Sequence, residues 1–87
     1  MTADEIRLIR YMNADTRRFS FWMIFQDNRP MAPYGKRLQN KELVRFFETT
    51  LGPVNKKWQF DASDHGRFII KADSDLDVTM MLLKFHR

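Results

Sequence analysis

Eleven carboxylates, two imidazoles and no thiol are the groups from which this chain could build chemistry. Their spacing argues against most of it. Without cysteine there is no thiolate chemistry and no disulfide framework. His65 and His86 share no HxH or HxxxH spacing, so a zinc site is not expected. Asp73-x-Asp75-x-Asp77 opens like a calcium loop. Val78, however, stands where that loop requires glycine, and Lys84 stands where it requires a bidentate glutamate. Acids in such a run are better used at a helix N-terminus, where the dipole favours them. Ser63-Asp64-His65 holds the residue types of a catalytic triad, but a triad is assembled in space and not in a row, and the run reads as a turn. No glycine-rich phosphate loop occurs. General acid–base work by Asp61, Asp64 or His65 has nothing to favour it. No catalytic residue, metal ligand or cofactor is assigned, and the chain is not expected to be an enzyme.

What remains is binding chemistry. The chain carries 15 basic and 11 acidic residues, a net charge of +4. Residues 29–41, RPMAPYGKRLQNK, hold Arg29, Lys36, Arg37 and Lys41 with no acid, and so account for the whole excess. Together with Lys56 and Lys57 these cations could contact phosphates while Tyr34 or Trp22 stacks on a base. A solvated basic loop is the plainer alternative. A second surface is formed if Trp22, Ile24 and Ile69 share a sheet face with Arg67 and Lys71. It would have an apolar centre and a charged rim, suited to a partner protein. A sheet edge could also pair with a partner strand or with a second copy, giving a homodimer.

These surfaces depend on the elements that position them. Phe19–Gln26, FSFWMIFQ, is the most apolar and aromatic run and has strand length. Alternation places Phe19, Phe21, Met23 and Phe25 on one face, toward helices, and Ser20, Trp22, Ile24 and Gln26 on the other. Asp27-Asn28-Arg29-Pro30 stops it. Before it, Thr2–Met12 is predicted as a helix, with Thr2 and Glu5 at capping-box spacing and a stripe of Ile6, Ile9 and Met12. Arg7 and Arg10 then fall on its solvated side. After the basic loop, Asn40–Leu51 is predicted as a helix with Asn40 as N-cap, closed by Gly52-Pro53. Trp58–Asp61 and Arg67–Lys71 read as a hairpin about residues 62–66. Ser74 and Asp77 open a last helix over 74–80, followed by a strand over 82–86. One helix running to the end is the alternative, since Leu76, Met80 and Leu83 also fit a helical face.

The expected architecture is one α+β domain spanning 1–87: an N-terminal helix followed by a ferredoxin-like βαββαβ antiparallel sheet with its helices on one face. A three-stranded sheet with a C-terminal helix is the alternative. The order is shared with RNA-recognition modules. Their aromatic signature on the third strand is met only in fragments by His65-Gly66-Arg67-Phe68-Ile69-Ile70. No signal peptide and no membrane span is read, and the absence of cysteine suits a cytoplasmic setting. The chain also resembles small accessory proteins encoded by phages. The likeness lies in its size and in the closing Asp75-x-Asp77-x-x-Met80-x-x-Leu83-Lys84-Phe85. That resemblance implies a protein that inhibits or modulates a host protein. The expected function is thus a small non-enzymatic binding module. Its ligand is nucleic acid through the 29–41 loop and Lys56/Lys57, or else a host protein through a sheet face or edge.

Overall fold

The computed structural model describes residues 5–13, 18–30, 35–62 and 66–85. The elements are β1 (Ile6–Asn13), β2 (Phe21–Asp27), α1 (Lys36–Leu51), β3 (Trp58–Ala62), β4 (Arg67–Ala72) and α2 (Asp75–Phe85). The strands form a single antiparallel sheet in the order β1-β2-β4-β3. The fold is therefore α+β, with four strands and two helices among the described residues.

β2 is the middle ribbon that its composition predicts, and its odd-numbered face is the core. Met23 and Phe25 are fully buried and Phe21 packs at the edge of the same cluster. They lie opposite Ile70, Phe68 and Ala72 of β4. Those residues in turn lie opposite Phe60, Ala62 and Trp58 of β3. The Phe25 ring stacks on Phe68 at 5.2 Å between centroids and meets Phe47 of α1 and Phe85 of α2, each at 5.4 Å. Both helices therefore cover the same face. α1 buries Gln39, Leu43, Phe47 and Leu51 at every fourth position, and α2 buries Val78, Met81 and Phe85. Phe19 is buried as expected but stands outside β2, with φ of 56°.

Three expectations are overturned. Residues 6–12 form a strand and not a helix. Pairing with β2 shifts between Leu8 and Arg10, so Ile9 is an extra residue in a β-bulge. Ile6 and Leu8 face the core before the bulge, and Tyr11 lies on that same side after it, opposite Met23 but exposed. Ile6, Ile9 and Met12 have helical spacing but end on different sides: Ile6 toward the core, Ile9 exposed at the bulge, and Met12 opposite Trp22 on the far face. The proposed cap at Thr2 lies outside the described residues. Second, residues 82–85 are not a strand: the one-helix alternative holds among the described residues, and α2 continues unbroken to Phe85. The ferredoxin-like order is not adopted. β2-α1-β3-β4-α2 keeps the βαββα part, with β4 between β2 and β3, but β1 takes the position beside β2. With that position filled, the last apolar residues are free to cover the sheet as a helix. Third, α1 begins at Lys36 and not at Asn40. Gly35, at φ 88°, precedes it, and the Gln39 amide donates to the Gly35 carbonyl. Gln39 belongs to the buried stripe, and its Nε2 donates to the Pro30 carbonyl at 2.8 Å. The burial of Gln39 draws a further turn into the helix, so residues 36–41 are helical and not part of a loop.

Candidate functional site

With both helices on one side, the even-numbered face of β2 is uncovered among the described residues. Strand register arranges it in three rows. Arg7, Gln26 and Arg67 form one row; Arg10, Ile24, Ile69 and Asp61 the next; Met12, Trp22, Lys71 and Gln59 the third. Directly opposed side chains in such rows have Cβ atoms about 4.5–5.5 Å apart. Ile24 and Ile69 therefore touch at the middle of the sheet, between Trp22–Lys71 and Gln26–Arg67. Ile9, displaced by the bulge, is exposed beside Arg10.

Trp22 is oriented at both ends. Its Nε1–H donates to the Phe19 carbonyl at 2.8 Å. That bond uses the left-handed turn at Phe19 to fix the indole. Lys71 Nζ lies 4.4 Å from the ring centroid and 3.0 Å from Asp61 Oδ2. One face of the indole is thus already covered by a cation, which limits it as a stacking platform for a base. Gln26 Nε2 donates to the Gly66 carbonyl at 3.3 Å and ties the lower row to the hairpin turn. Among the described residues, four cations, Arg7, Arg10, Arg67 and Lys71, share the face with one acid, Asp61.

All five residues expected for partner binding, Trp22, Ile24, Arg67, Ile69 and Lys71, stand together on this face. Arg7 and Arg10 join them and were missed, because a helical reading sent them elsewhere. Alternation within β1 places Arg7, and the bulge then brings Arg10 to the same side.

The residues expected for nucleic acid do not form one surface. Arg29 is 6 % exposed at its side chain. Its Nε and Nη2 donate to the two oxygens of Asp27, each at 3.0 Å, its Nη1 to Glu42 at 2.9 Å, and its Nη2 also to the Gln39 carbonyl at 3.1 Å. The Asp27 hydrogen bond, helped by attraction to Asp27, Glu42 and Glu5 and opposed by burial, raises the Arg29 pKa. The guanidinium therefore stays charged at any ordinary pH. Arg29 holds the end of β2 to the start of α1. Tyr34 lies outside the described residues. Lys36, Arg37 and Lys41 lie in the first turns of α1, where exposed Arg37, Lys41 and Arg45 follow one another at every fourth position. Lys56 and Lys57 are exposed beyond the opposite end of α1, and the Lys56 carbonyl accepts from Arg18 at 2.6 Å. From Lys41 to the helix end at Leu51 is already about 15 Å at 1.5 Å per residue.

A cleft of about 180 Å³ lies between the start of α1 and the β3–β4 turn, lined by Asp27, Arg29, Gln39 and Arg67 among others. Its described carboxylate, Asp27, is engaged by the Arg29 guanidinium. Among the described residues no group of three His, Asp or Glu is placed to hold a metal. The acids at Asp75 and Asp77 occupy the first turn of α2 as helix-capping charges. His65 and His86 lie outside the described residues. No described helix is long and apolar enough to cross a membrane. Comparisons with protein-family models, with curated proteins and with solved structures give no match.

Proposed function

We propose that this chain is a small non-enzymatic binding module that presents its uncovered sheet face to an acidic surface of another protein. The observation that carries the reading is the register of β2 and β4. It sets Ile24 against Ile69 at the centre of the open face, with Trp22 and Lys71 on one side and Arg67 on the other. An apolar centre inside a charged rim is the anatomy of a protein interface. Arg and Trp are the side chains that most often anchor one. The excess of cations favours an acidic partner and disfavours self-stacking, which would set Arg7, Arg10, Arg67 and Lys71 against their own copies.

Nucleic acid is the competing ligand. Against it stand the scattered placement of Arg29, Arg37, Lys41, Lys56 and Lys57 and the cation already lying over Trp22. The test is affinity capture from cell extract after nuclease treatment, using the native chain, Arg7→Glu/Arg10→Glu and Arg37→Glu/Lys41→Glu. The proposal expects bound protein that survives nuclease, falls at least about tenfold with the β1 pair, in line with the several kcal/mol that like-charge contacts cost, and persists with the α1 pair. Loss of the bound material on nuclease treatment, with affinity falling steeply in salt, would overturn it in favour of nucleic acid. Equal capture by all three proteins would remove the open face from the function.

A further inference from the structure

α2 is apolar on two opposite sides. Val78, Met81 and Phe85 face the sheet and are buried. Leu76, Met80 and Leu83 face outward and are 69 %, 38 % and 79 % exposed. At about 100° per residue the outward three fall within about 60° of one another, on the far side of the helix from the buried stripe. A helix apolar all round is ordinarily enclosed. Here one side is enclosed by the sheet, and the other has no cover from the described residues.

We infer that the Leu76–Met80–Leu83 stripe is a self-association surface, and that its occupant is α2 of a second copy packed antiparallel about a two-fold axis. Two features of the helix support this occupant. The stripe is close to palindromic along the chain. An axis beside Met80 that lays Leu76 on Leu83 of the other copy also lays Leu83 on Leu76, and it closes Met80 against its counterpart. The contact is isologous, as a two-fold interface must be. The charges are also arranged for this direction and against the parallel one. Asp75 and Asp77 lie in the first turn of α2 and Lys84 in the last. Antiparallel packing brings each acidic end over the basic end of the other copy and opposes the two helix dipoles favourably. Parallel packing would stack like on like. Lys84 is already directed along the flank toward α1, with Nζ 3.3 Å from the Thr50 hydroxyl and 5.1 Å from the Phe46 ring centroid. Asp77 lies on that same flank of α2, and antiparallel helices meet like flank to like flank. Lys84 of one copy therefore approaches Asp77 of the other.

An 11-residue helix is only about 16 Å long. Its contact is well below the roughly 800 Å² per partner of stable interfaces, so the dimer is weak and reversible. It uses the helix layer and leaves the open sheet face free, and does not depend on what that face binds.

The test is sedimentation velocity of the full chain from about 10 μM to about 1 mM, the range in which a weak contact of this size is populated. The expected result is a monomer–dimer equilibrium that weakens at least tenfold in Leu76→Ser/Leu83→Ser, with the monomer's melting temperature unchanged. Direction is read from the cysteine-free background. Leu76→Cys and Leu83→Cys proteins, mixed and oxidised, form disulfide heterodimers in preference to homodimers, since only the mixed pair brings two Cα atoms within about 7 Å. A monomer throughout the range overturns the inference. So does a dimer indifferent to the double serine variant, or a preference for homodimer cross-links. A monomer whose captured partner protein is lost in the serine variant would assign the stripe to a different chain.

Discussion

Replacing Arg29 by Met tests whether a cation counted as part of a basic loop is a structural staple. The substitution keeps the length of the aliphatic stem and deletes the guanidinium. Four hydrogen bonds go with it: two to Asp27, one to Glu42 and one to the Gln39 carbonyl. The Asp27 side chain is only 15 % exposed and is left with the Arg29 main-chain amide as its remaining partner here, at 3.0 Å. Stranding a buried charge costs about 3–5 kcal/mol when it is fully enclosed. Asp27 keeps one donor and some solvent, so about 2–3 kcal/mol is expected. At about 4–8 °C per kcal/mol for a domain of this size, the melting temperature should fall by roughly 10–20 °C. Double-mutant cycles divide the effect. Coupling of Arg29 to Asp27, measured with Asp27→Asn, should exceed coupling to Glu42, measured with Glu42→Gln. The reason is that Glu42 is 47 % exposed, and half-exposed pairs contribute about 0.2–1 kcal/mol. Thermal and urea denaturation followed by circular dichroism provide the numbers. A loss under about 0.5 kcal/mol, the ordinary scatter of surface substitutions, would refute the reasoning, as would a larger coupling to Glu42 than to Asp27.

Other outcomes follow from the same geometry. Gly66→Ala places a Cβ 3.0 Å from Gln26 Nε2 at a residue with φ of 72°, so about 1–2 kcal/mol of stability should be lost in urea titration. Phe25→Ala removes a ring held between Phe47, Phe68 and Phe85 and should cost about 3–5 kcal/mol, while Leu83→Ala on the outer side of α2 should leave the monomer within about 0.5 kcal/mol of native. Lys71→Ala uncovers one face of the Trp22 indole and breaks the Asp61 pair. Stability should change by no more than about 1 kcal/mol, but acrylamide quenching of tryptophan emission should rise, because Trp58 is fully buried and Trp22 alone responds.

Residue order alone determined β2 and its inward face, the hairpin of β3 and β4, the Gly52-Pro53 end of α1, and the set Trp22, Ile24, Arg67, Ile69 and Lys71. Each of these follows from strict alternation or from turn residues, which act over a few neighbours. Tertiary structure decided the rest. Residues 6–13 pair with β2 as a strand, which puts Arg7 on the open face, and the bulge at Ile9 brings Arg10 there as well. The pairing of β1 with β2 occupied the position meant for a closing strand and left the apolar end of the chain to fold as α2. Arg29 left the pool of available cations because Asp27, Glu42 and the Gln39 carbonyl converge on it. Counting charges along a segment cannot register such pairing. Periodicity and charge are properties of neighbours in sequence. Which edge a strand joins, and which acid meets which base, are settled only when distant segments compete for the same space.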